Sequence, residues 1–279
     1  DVRRTLDDRG LNHHVDFTRS LEHARELART AQQSGEMAVA LGGDGLIGAV
    51  AGALRNTDGV LGVLPGGRGN DFARVLGIPL DPVAACQVLS EGSVRALDLG
   101  QIGTTTFIGI ASCGFDSEAN RIANQTRLIR GNLVYTYGGI RALMSWRPAR
   151  FQLRIDGQPR TLTGYTVAIA NSAAYGGGMF LAPGASLTDG LLDVVLIADQ
   201  PRLQFLRHLP KVFKGEHVTL PAVSIIRARE VEVEADRQFT VYADGDPVAE
   251  LPVKATVAPA AVRVMVPAHD RAPALAGAR

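Results

Sequence analysis

Cysteine, lysine and long apolar runs are scarce in this sequence, and each absence excludes a class of protein. The two cysteines, Cys86 and Cys113, are too few for a disulfide framework, so we expect a reducing, cytoplasmic environment. No uninterrupted apolar run approaches the ~18 residues of a membrane span. The formal net charge is +1, and only three lysines occur. A general nucleic-acid-binding protein is usually strongly basic, so nucleic acid is not an expected partner.

The residues that are present predict a folded chain. Hydrophobic residues make up 46% and charged residues 20% of the 279 residues, a balance typical of globular domains and not of disordered segments. This length suits two ordinary domains or one large domain. Residues 268–279 are small and polar, so we expect them to form a frayed tail.

The first hundred residues alternate strand and helix patterns. Apolar runs at 37–41 and 60–64 each end in a glycine-rich turn, and a helical pattern follows each turn. Strand, turn, helix and strand in this order are typical of a parallel sheet covered by helices. Right-handed crossovers would bring both glycine turns to the carboxyl edge of that sheet. The sequence therefore predicts an α/β domain over residues 1–102.

Residues 103–267 have the pattern of an antiparallel β-sandwich. Strand patterns at 151–154 and 161–170 flank Asp156-Gly157, a strong hairpin turn signal. Short spacings between strands are typical of a sandwich, and helical patterns near 133–146 and 202–213 interrupt the series. Further strands are predicted at 191–197, 223–227, 231–234, 239–242, 253–257 and 262–266.

The first glycine turn consists of Gly42, Gly43, Asp44 and Gly45. Glycines let the backbone approach a ligand closely, and the N-terminus of the following helix presents free N–H groups, which suits a phosphate. Asp44 would repel phosphate unless a cation intervenes or the carboxylate accepts from a sugar hydroxyl. The turn is also compatible with a purely structural role, in which Asp44 caps a tight strand-to-helix connection.

The second turn contains Gly66, Gly67, Arg68, Gly69, Asn70 and Asp71. Arg68 could pair with phosphate oxygens in a bidentate manner. Asn70 or Asp71 could instead cap the helix that begins at Phe72. No Lys-Ser/Thr pair follows the glycines of either turn, so neither is a P-loop.

These motifs resemble the diacylglycerol kinase catalytic family, which includes bacterial lipid kinases and sphingosine kinases. The resemblance rests on GGDG at 42–45 and PGGRGNDFAR at 65–74, and it extends in the same order over roughly residues 38–250. The second motif favours the lipid kinases over the more distantly related NAD kinases. Other matching motifs are DLG at 98–100, CGFD at 113–116, GGG at 176–178, DGLLD at 189–193 and DGD at 244–246.

The resemblance implies a nucleotide site between the two domains. ATP would bind with residues 42–45 and 66–69 around its phosphates, and Asp44 and Asp71 would contact the nucleotide or its magnesium. Asp189, with the backbone carbonyls of Ser186 and Leu191, matches the family's structural magnesium position. Oxygen ligands from a tight loop suit this hard cation. From the residues alone, Asp189-Gly190 is typical of a hairpin turn.

The resemblance also implies two catalytic acids. Asp246 matches the general base, where the family usually has Glu, and Asp98 matches a second acid that assists it. From the residues alone, Asp246 before Pro247 is typical of a turn. Three positions near the first turn also depart from the family pattern: Leu46 stands in place of Thr, and Gly48-Ala49 stand in place of Asn-Glu. The family's first strand and its Asn-Pro nucleotide loop would lie before Asp1.

The function implied is an ATP- and Mg²⁺-dependent lipid kinase that phosphorylates a primary hydroxyl of a diacylglycerol-like or sphingoid lipid. We expect it in the cytoplasm, peripheral at the inner face of the membrane, and a homodimer is left open. One alternative is a kinase of a soluble hydroxyl compound, similar to an NAD kinase. Another is a nucleotide- or lipid-binding protein that has lost turnover.

Two basic stretches bear on membrane association. No acid occurs between Glu118 and Asp156 or within residues 202–214. Such stretches suit an anionic membrane surface; alternatively, the apolar residues pack in the core and the arginines are merely solvated. The first stretch contains Arg121, Arg127, Arg130, Arg141, Arg147, Arg150 and Arg154, interleaved with Leu133, Val134, Tyr135, Tyr137, Leu143, Met144 and Trp146.

Overall fold

The computed structural model describes residues 1–125 and 133–268 of the chain. The helices are α1 (Val2–Asp8), α2 (Leu21–Gln33), α3 (Asp44–Ala53), α4 (Asp71–Val75), α5 (Pro82–Glu91), α6 (Phe115–Gln125), α7 (Leu133–Ser145) and α8 (Arg202–Val212), with a 3₁₀ turn at Glu216–Thr219. The strands are β1 (Ala38–Gly42), β2 (Val60–Pro65), β3 (Ser93–Ile102), β4 (Thr105–Phe107), β5 (Ile110–Gly114), β6 (Ala149–Ile155), β7 (Gln158–Ala170), β8 (Leu192–Ala198), β9 (Val223–Ala228), β10 (Glu230–Ala235), β11 (Thr240–Ala243), β12 (Asp246–Glu250) and β13 (Val253–Val266).

Some residues singled out in the sequence lie outside this description. They are Arg127, Arg130 and the tail from residue 269, together with the side chains of Leu133, Val134, Tyr135 and Tyr137.

The α/β half is built on parallel strands. β1 pairs in parallel with β2, and β2 with the last part of β13. Small residues on one face of β1, Ala38 and Ala40, are buried, and so are Ala24 and Ala28 of α2. Ile47 of α3 and Leu61 of β2 are fully buried in the same core. This arrangement places the N-termini of α3 and α4 at the ends of β1 and β2.

The sandwich half is antiparallel. The predicted hairpin is present as β6 and β7, and Asp156 and Gly157 both have positive φ (45° and 78°) in the turn between them. Its core is rich in aromatic rings, with Tyr165 stacked on Phe205 at 4.2 Å and Phe115 edge-on to Phe205 at 5.0 Å. The predicted fold class, an α/β domain followed by an antiparallel sandwich, is confirmed.

One long strand, β13, runs through both halves. Residues 253–256 pair with β10 of the sandwich, whereas Arg263 and Val264 pair with β2 of the α/β half. The pattern predicts two strands here, but the structure joins them across an irregularity between residues 258 and 262, where Ala260 has a φ of 49°. The thirteen strands found in residues 1–125 and 133–268 therefore belong to one hydrogen-bonded sheet.

The helical insertions near 133–146 and 202–213 are present as α7 and α8, whereas α6 was not predicted.

Among the residues that the structure describes, no helix combines the length and apolar content needed to cross a bilayer.

Truncating Leu61 tests the role of the α/β core. Leu61→Ala removes a fully buried side chain between neighbouring strands, so we expect the free energy of unfolding to fall by about 2–5 kcal/mol. Leu203→Ala is the matched control, because Leu203 is exposed and its truncation leaves no cavity. Denaturant titration measures both changes; equal losses would contradict the assigned core.

Candidate active site

The two glycine turns lie against each other at the carboxyl edge of the parallel strands. The N–H group of Gly66 donates to the carbonyl of Gly42 (2.9 Å). A Cβ on Gly43 would stand 3.2 Å from Gly67 Cα, and one on Gly67 would come closer still to Gly43. Side chains at these two positions would push the turns apart, so the close approach requires glycine. The prediction that the turns are neighbours is confirmed.

Asp44, the acid of the first turn, binds the second turn. Its Oδ2 and Oδ1 accept from the N–H groups of Asp71 and Phe72 (each 3.1 Å). These amides open α4, and free N–H groups at a helix start need an acceptor. Asp44 therefore caps α4 from a different helix.

Asn70 closes its own turn. It has a left-handed conformation (φ 51°), its Oδ1 accepts from the N–H of Gly67 (2.8 Å), and its Nδ2 donates to the carbonyl of Gly67 (3.0 Å). Neither Asn70 nor Asp71 makes a side-chain bond to the amides of α4. The interpretation that one of them caps this helix is wrong, because Asp44 already supplies the acceptor.

Asp71 connects the α/β half to the sandwich half. Its Oδ2 and Oδ1 accept from the N–H groups of Gly177 and Gly178 (each 2.7 Å). Burial raises the pKa of Asp71, the negative charge of Asp44 raises it further, and the two amides oppose that shift. Each carboxylate oxygen keeps a further lone pair, so the expected contact of Asp44 and Asp71 with nucleotide or magnesium stays a prediction.

Residues 175–179 form a tight segment that we call the glycine hairpin. Tyr175 and Met179 exchange backbone hydrogen bonds (3.0 Å each), and the three glycines between them have positive φ. On the far side from Asp71, the Tyr175 hydroxyl donates to Asp116 Oδ2 (2.9 Å). Burial raises the pKa of Asp116 and raises that of Tyr175 well above its ordinary range. The hairpin is thus anchored at the start of α6 and at the start of α4.

Asp246 faces the first glycine turn from the sandwich half. A Cβ on Gly45 would stand 2.9 Å from Asp246 Oδ2, so a glycine at position 45 keeps the space in front of this carboxylate open. Asp246 is exposed and is therefore accessible from the cleft between the two halves. The expected role of Asp246 as a base beside the phosphates stays a prediction.

Asp244, the first acid of the DGD motif, is a site residue that the sequence pattern does not predict. Its Oδ2 and Oδ1 accept from the N–H groups of Ile108 and Gly109 (2.9 and 2.8 Å). Burial raises the pKa of Asp244 to about 7, with a smaller contribution from the charge of Asp44 and an opposing one from the amides. A Cβ on Gly48 would stand 3.3 Å from Asp244 Oδ2, so the glycine at position 48 leaves room for this carboxylate.

Asp98 is buried and holds two loops. Its Oδ2 and Oδ1 accept from the N–H groups of Gly190 and Ala260 (each 2.7 Å). These bonds tie β3 to the 186–191 loop and to the irregularity in β13. Within the described residues no hydrogen bond links Asp98 to Asp246, so the expected assistance between these two acids stays a prediction.

The expected magnesium ligands lie together in the 186–191 loop. Asp189 is exposed, its Oδ1 accepts from the N–H of Leu191 (3.1 Å), and the hydroxyl of Ser186 lies 3.3 Å from that of Thr188. Residues 1–125 and 133–268 contain no cluster of three or more His, Cys, Asp or Glu side chains suited to a metal. One carboxylate with backbone carbonyls nevertheless remains a donor set that suits Mg²⁺.

Arg68 lies at the mouth of the cradle formed by the two turns. Its side chain is exposed, as are Gly66 and Gly67. In the described part of the chain it has no ion-pair partner, so its guanidinium is available to an anion arriving from solvent.

A pocket of about 580 Å³ opens in the sandwich half, between α6, the end of α7 and the β11–β12 hairpin that also carries Asp246. One wall carries the Glu118–Arg121 ion pair (2.6 Å), and burial raises the pKa of Tyr242 at its base. The lining mixes charged and aromatic side chains, which suits a ligand with both polar and apolar parts. The lining residues are Ser117, Glu118, Arg121, Ser145, Trp146, Arg147, Arg237, Gln238, Phe239, Thr240, Tyr242 and Glu250.

Two domain families match the chain in succession. The diacylglycerol kinase catalytic domain matches residues 1–102, and the YegS C-terminal NAD kinase beta sandwich-like domain matches residues 109–266. A diacylglycerol kinase of Mycobacterium tuberculosis (strain H37Rv) is 39% identical over 254 residues, which are 88% of this chain and 82% of that protein. A diacylglycerol kinase of Bacillus subtilis (strain 168) is 31% identical over 76% of this chain and 71% of its own length.

A solved structure, that of a diacylglycerol kinase from Bacillus anthracis str. Sterne, superimposes with a TM-score of 0.77 at 18% identity and covers 95% of this chain and 89% of its own. This superposition shows that the two chains share a fold. The sequence relatives and the two matching domains show the family: the chain belongs to the diacylglycerol kinase family and is by class a kinase.

Adding a methyl group between the two turns tests the cradle. The Cβ of Gly67→Ala would collide with Gly43 Cα and push the turns apart, so we expect at least ~10-fold weaker ATP binding, accompanied by a loss of stability of about 1–3 kcal/mol. Gly139→Ala is the control, because its Cβ meets nothing within 4 Å. Titration calorimetry with ATP measures the effect, and unchanged affinity in Gly67→Ala would contradict a nucleotide site between the turns.

The raised pKa of Asp244 predicts a pH-dependent stability. The folded chain retains the proton up to about pH 7, whereas an unfolded Asp loses it near its ordinary value of 3.8. The stabilisation due to this proton is therefore full below that ordinary value and is lost as the pH rises through about 7. Asp244→Asn cannot titrate, so its loss of unfolding free energy relative to wild type should be larger at about pH 5 than at about pH 8. Equal losses in urea titrations at both pH values would contradict the shift.

Proposed function

We propose that the chain is an ATP- and Mg²⁺-dependent lipid kinase that transfers the γ-phosphoryl group of ATP to a primary hydroxyl of a diacylglycerol-like or sphingoid lipid. The observation that carries the proposal is the approach of Asp246 to Gly45 across the cleft. An acid from one half of the molecule faces a glycine-rich cradle in the other. Phosphoryl transfer needs this pairing of a phosphate site with an acceptor for the hydroxyl proton.

The nucleotide phosphates would lie on residues 42–45 and 66–69. The first turn of α3 presents backbone N–H groups there, and these stabilise negative charge at a helix N-terminus. Arg68 would close over the phosphate oxygens from the solvent side. Leu46 cannot offer the hydroxyl that the family pattern has at this position, so the backbone amides would provide most of the binding.

The acceptor hydroxyl would lie between Asp246 and the γ-phosphorus. As its oxygen bonds to phosphorus, the bond from phosphorus to the bridging oxygen of ADP breaks and ADP leaves with that electron pair. Asp246 Oδ2 takes the hydroxyl proton. The transition state of such transfers is generally loose, so positioning and charge neutralisation contribute more than activation of the nucleophile.

Magnesium would be held by Asp189 and the backbone carbonyls of Ser186 and Leu191. The donor set fits, because all three atoms are oxygens on one short loop. The ion would supply positive charge that orders this loop. Asp98 already binds the same loop through the Gly190 amide, and we propose that it acts on the site through this contact.

We propose that the lipid acceptor binds to the sandwich half. The pocket beside the β11–β12 hairpin would hold part of the acceptor, and the hairpin connects this pocket to Asp246 at its turn. Two relatives named diacylglycerol kinase favour a diacylglycerol-like acceptor. A lipid acceptor requires contact with a bilayer, so we propose peripheral association with the cytoplasmic face of the membrane. A homodimer is compatible with this arrangement.

One assay separates the proposed function from its alternatives. Incubation with radiolabelled ATP, magnesium and mixed micelles of candidate lipids should give label in an organic-phase product. Label in a water-soluble product would instead support a kinase of a soluble hydroxyl compound, similar to an NAD kinase. ATP binding without transfer would support a protein that has lost turnover, as Leu46 and Gly48 suggest.

Substitution of Asp246 tests the base. Asp246→Asn keeps the shape of the side chain but cannot take a proton at neutral pH, so we expect kcat to fall by ~10²–10⁴-fold with nearly unchanged ATP affinity. Asp246→Glu restores a carboxylate and should recover part of the rate. A single-turnover assay with labelled ATP measures both, and full activity in Asp246→Asn would remove Asp246 from this role.

A further inference from the structure

Helix α8 packs on the sandwich through a narrow face. Phe205 and Val212, seven residues apart, are its buried residues. Phe205 stacks on Tyr165 at 4.2 Å, and the carbonyl of Val212 accepts from the N–H of Phe180 (3.0 Å). Two turns of helix separate these contacts, so they hold one side of α8 and leave most of its surface to solvent.

The remaining large apolar side chains of α8 form an exposed stripe. Leu203 is 80% exposed, Leu206 is 45% exposed, and Phe213, just past the helix end, is 50% exposed; Leu209 continues the row. Spacings of three, three and four residues place all four on one face. A single exposed leucine needs no explanation, but a contiguous apolar row on a charged helix marks an interaction surface.

The face beside this stripe is basic. It carries Arg207, Lys211 and Lys214, which include two of the three lysines in the chain. No acid occurs between Asp199 and Glu216, and none of these three cations has an ion-pair partner among the residues that the structure describes. The apolar row therefore has an uncompensated positive flank.

The surface continues onto the end of α7. Arg202 donates to the carbonyls of Met144 (3.1 Å) and Trp146 (2.7 Å), so the start of α8 adjoins the last turn of α7. Met144 is 72% exposed there, whereas Trp146 turns inward and lines the pocket described above. The apolar row thus borders the pocket proposed for the acceptor.

We propose that α8 docks the protein on an anionic bilayer, with the α8 stripe (Leu203, Leu206, Leu209 and Phe213, joined by Met144) buried at the level of the acyl chains. Arg207, Lys211 and Lys214 bind the acidic headgroups. This is the chemistry of an interfacial amphipathic helix, in which apolar burial and electrostatic attraction act together. The inference rests on the proposed function, because it names the surface through which that lipid kinase reaches its membrane.

A second copy of the chain is a poorer occupant. In a two-fold interface the same patch meets itself, so both copies would bring their three uncompensated cations into one interface. The described residues provide no acid within this surface to relieve that repulsion. An acidic membrane relieves it and covers the leucines at the same time.

Co-sedimentation with vesicles, without ATP, tests the surface. Wild type should bind vesicles of equal parts phosphatidylglycerol and phosphatidylcholine, and added salt should weaken that binding. The double variant Leu203→Ser, Leu206→Ser should bind roughly tenfold more weakly, because two side chains lose their burial in the acyl region. Lys211→Gln with Lys214→Gln should lose the preference over pure phosphatidylcholine vesicles. Leu80→Ser is the matched control, because Leu80 is similarly exposed in the α/β half.

Wild-type binding by the leucine double variant, with an unchanged melting temperature, would overturn the proposal. So would a wild-type dimer in analytical ultracentrifugation that the same substitutions dissociate, because the stripe would then be covered by a second copy.

A second readout separates this inference from the kinase reaction. With a dispersed short-chain diacylglycerol the leucine variant should turn over at the wild-type rate, because α8 contributes nothing to the cradle or to Asp246. Vesicle binding by wild type without transfer to any lipid would refute the proposed function and leave the docking surface standing. Transfer in micelles with no vesicle binding would do the reverse.

Discussion

Carboxylates that accept backbone N–H groups from distant segments hold the cleft together. Asp44 binds the first amides of α4, and Asp71 binds two amides of the glycine hairpin. Asp98 and Asp244 do the same for the loops behind them. Each carboxyl group satisfies backbone donors of a distant segment, and removing it leaves those donors unpaired. The placement of Asp246 opposite Gly45 depends on this set of contacts.

Much of the fold could be predicted from local patterns. The glycine turns after apolar runs indicated parallel strands, and Asp156-Gly157 indicated the β6–β7 hairpin, because each signal lies within a few residues of the structure it forms. β13 could not be predicted in the same way. Its partner β2 lies some two hundred residues earlier in the chain, and no periodicity at residues 253–266 records which strand will be its neighbour.

In the site too, some features could be predicted from local sequence and others could not. The acids and glycines of the two turns are visible in the sequence. The capping of α4 by Asp44 is not, because a backbone amide leaves no sequence signature for the side chain that it binds. The same holds for Asp244, whose partners are the backbone amides of Ile108 and Gly109. Of the two basic stretches, the first buries Leu143 and Trp146 in the core, whereas the second exposes its leucines. Composition alone does not distinguish these outcomes.

The sharing of β13 by both halves has a mechanical consequence. Two lobes joined by a flexible linker can rotate about it, whereas these two halves share one strand, whose hydrogen bonds extend to β10 in the sandwich half and to β2 in the α/β half. A movement that widens the cleft must therefore distort the hydrogen bonds that β13 makes with its neighbouring strands. The ladder to β3 is broken between residues 258 and 262, and Asp98 clamps the Ala260 amide within this gap. A buried acid thus fixes the backbone of the shared strand at its irregularity.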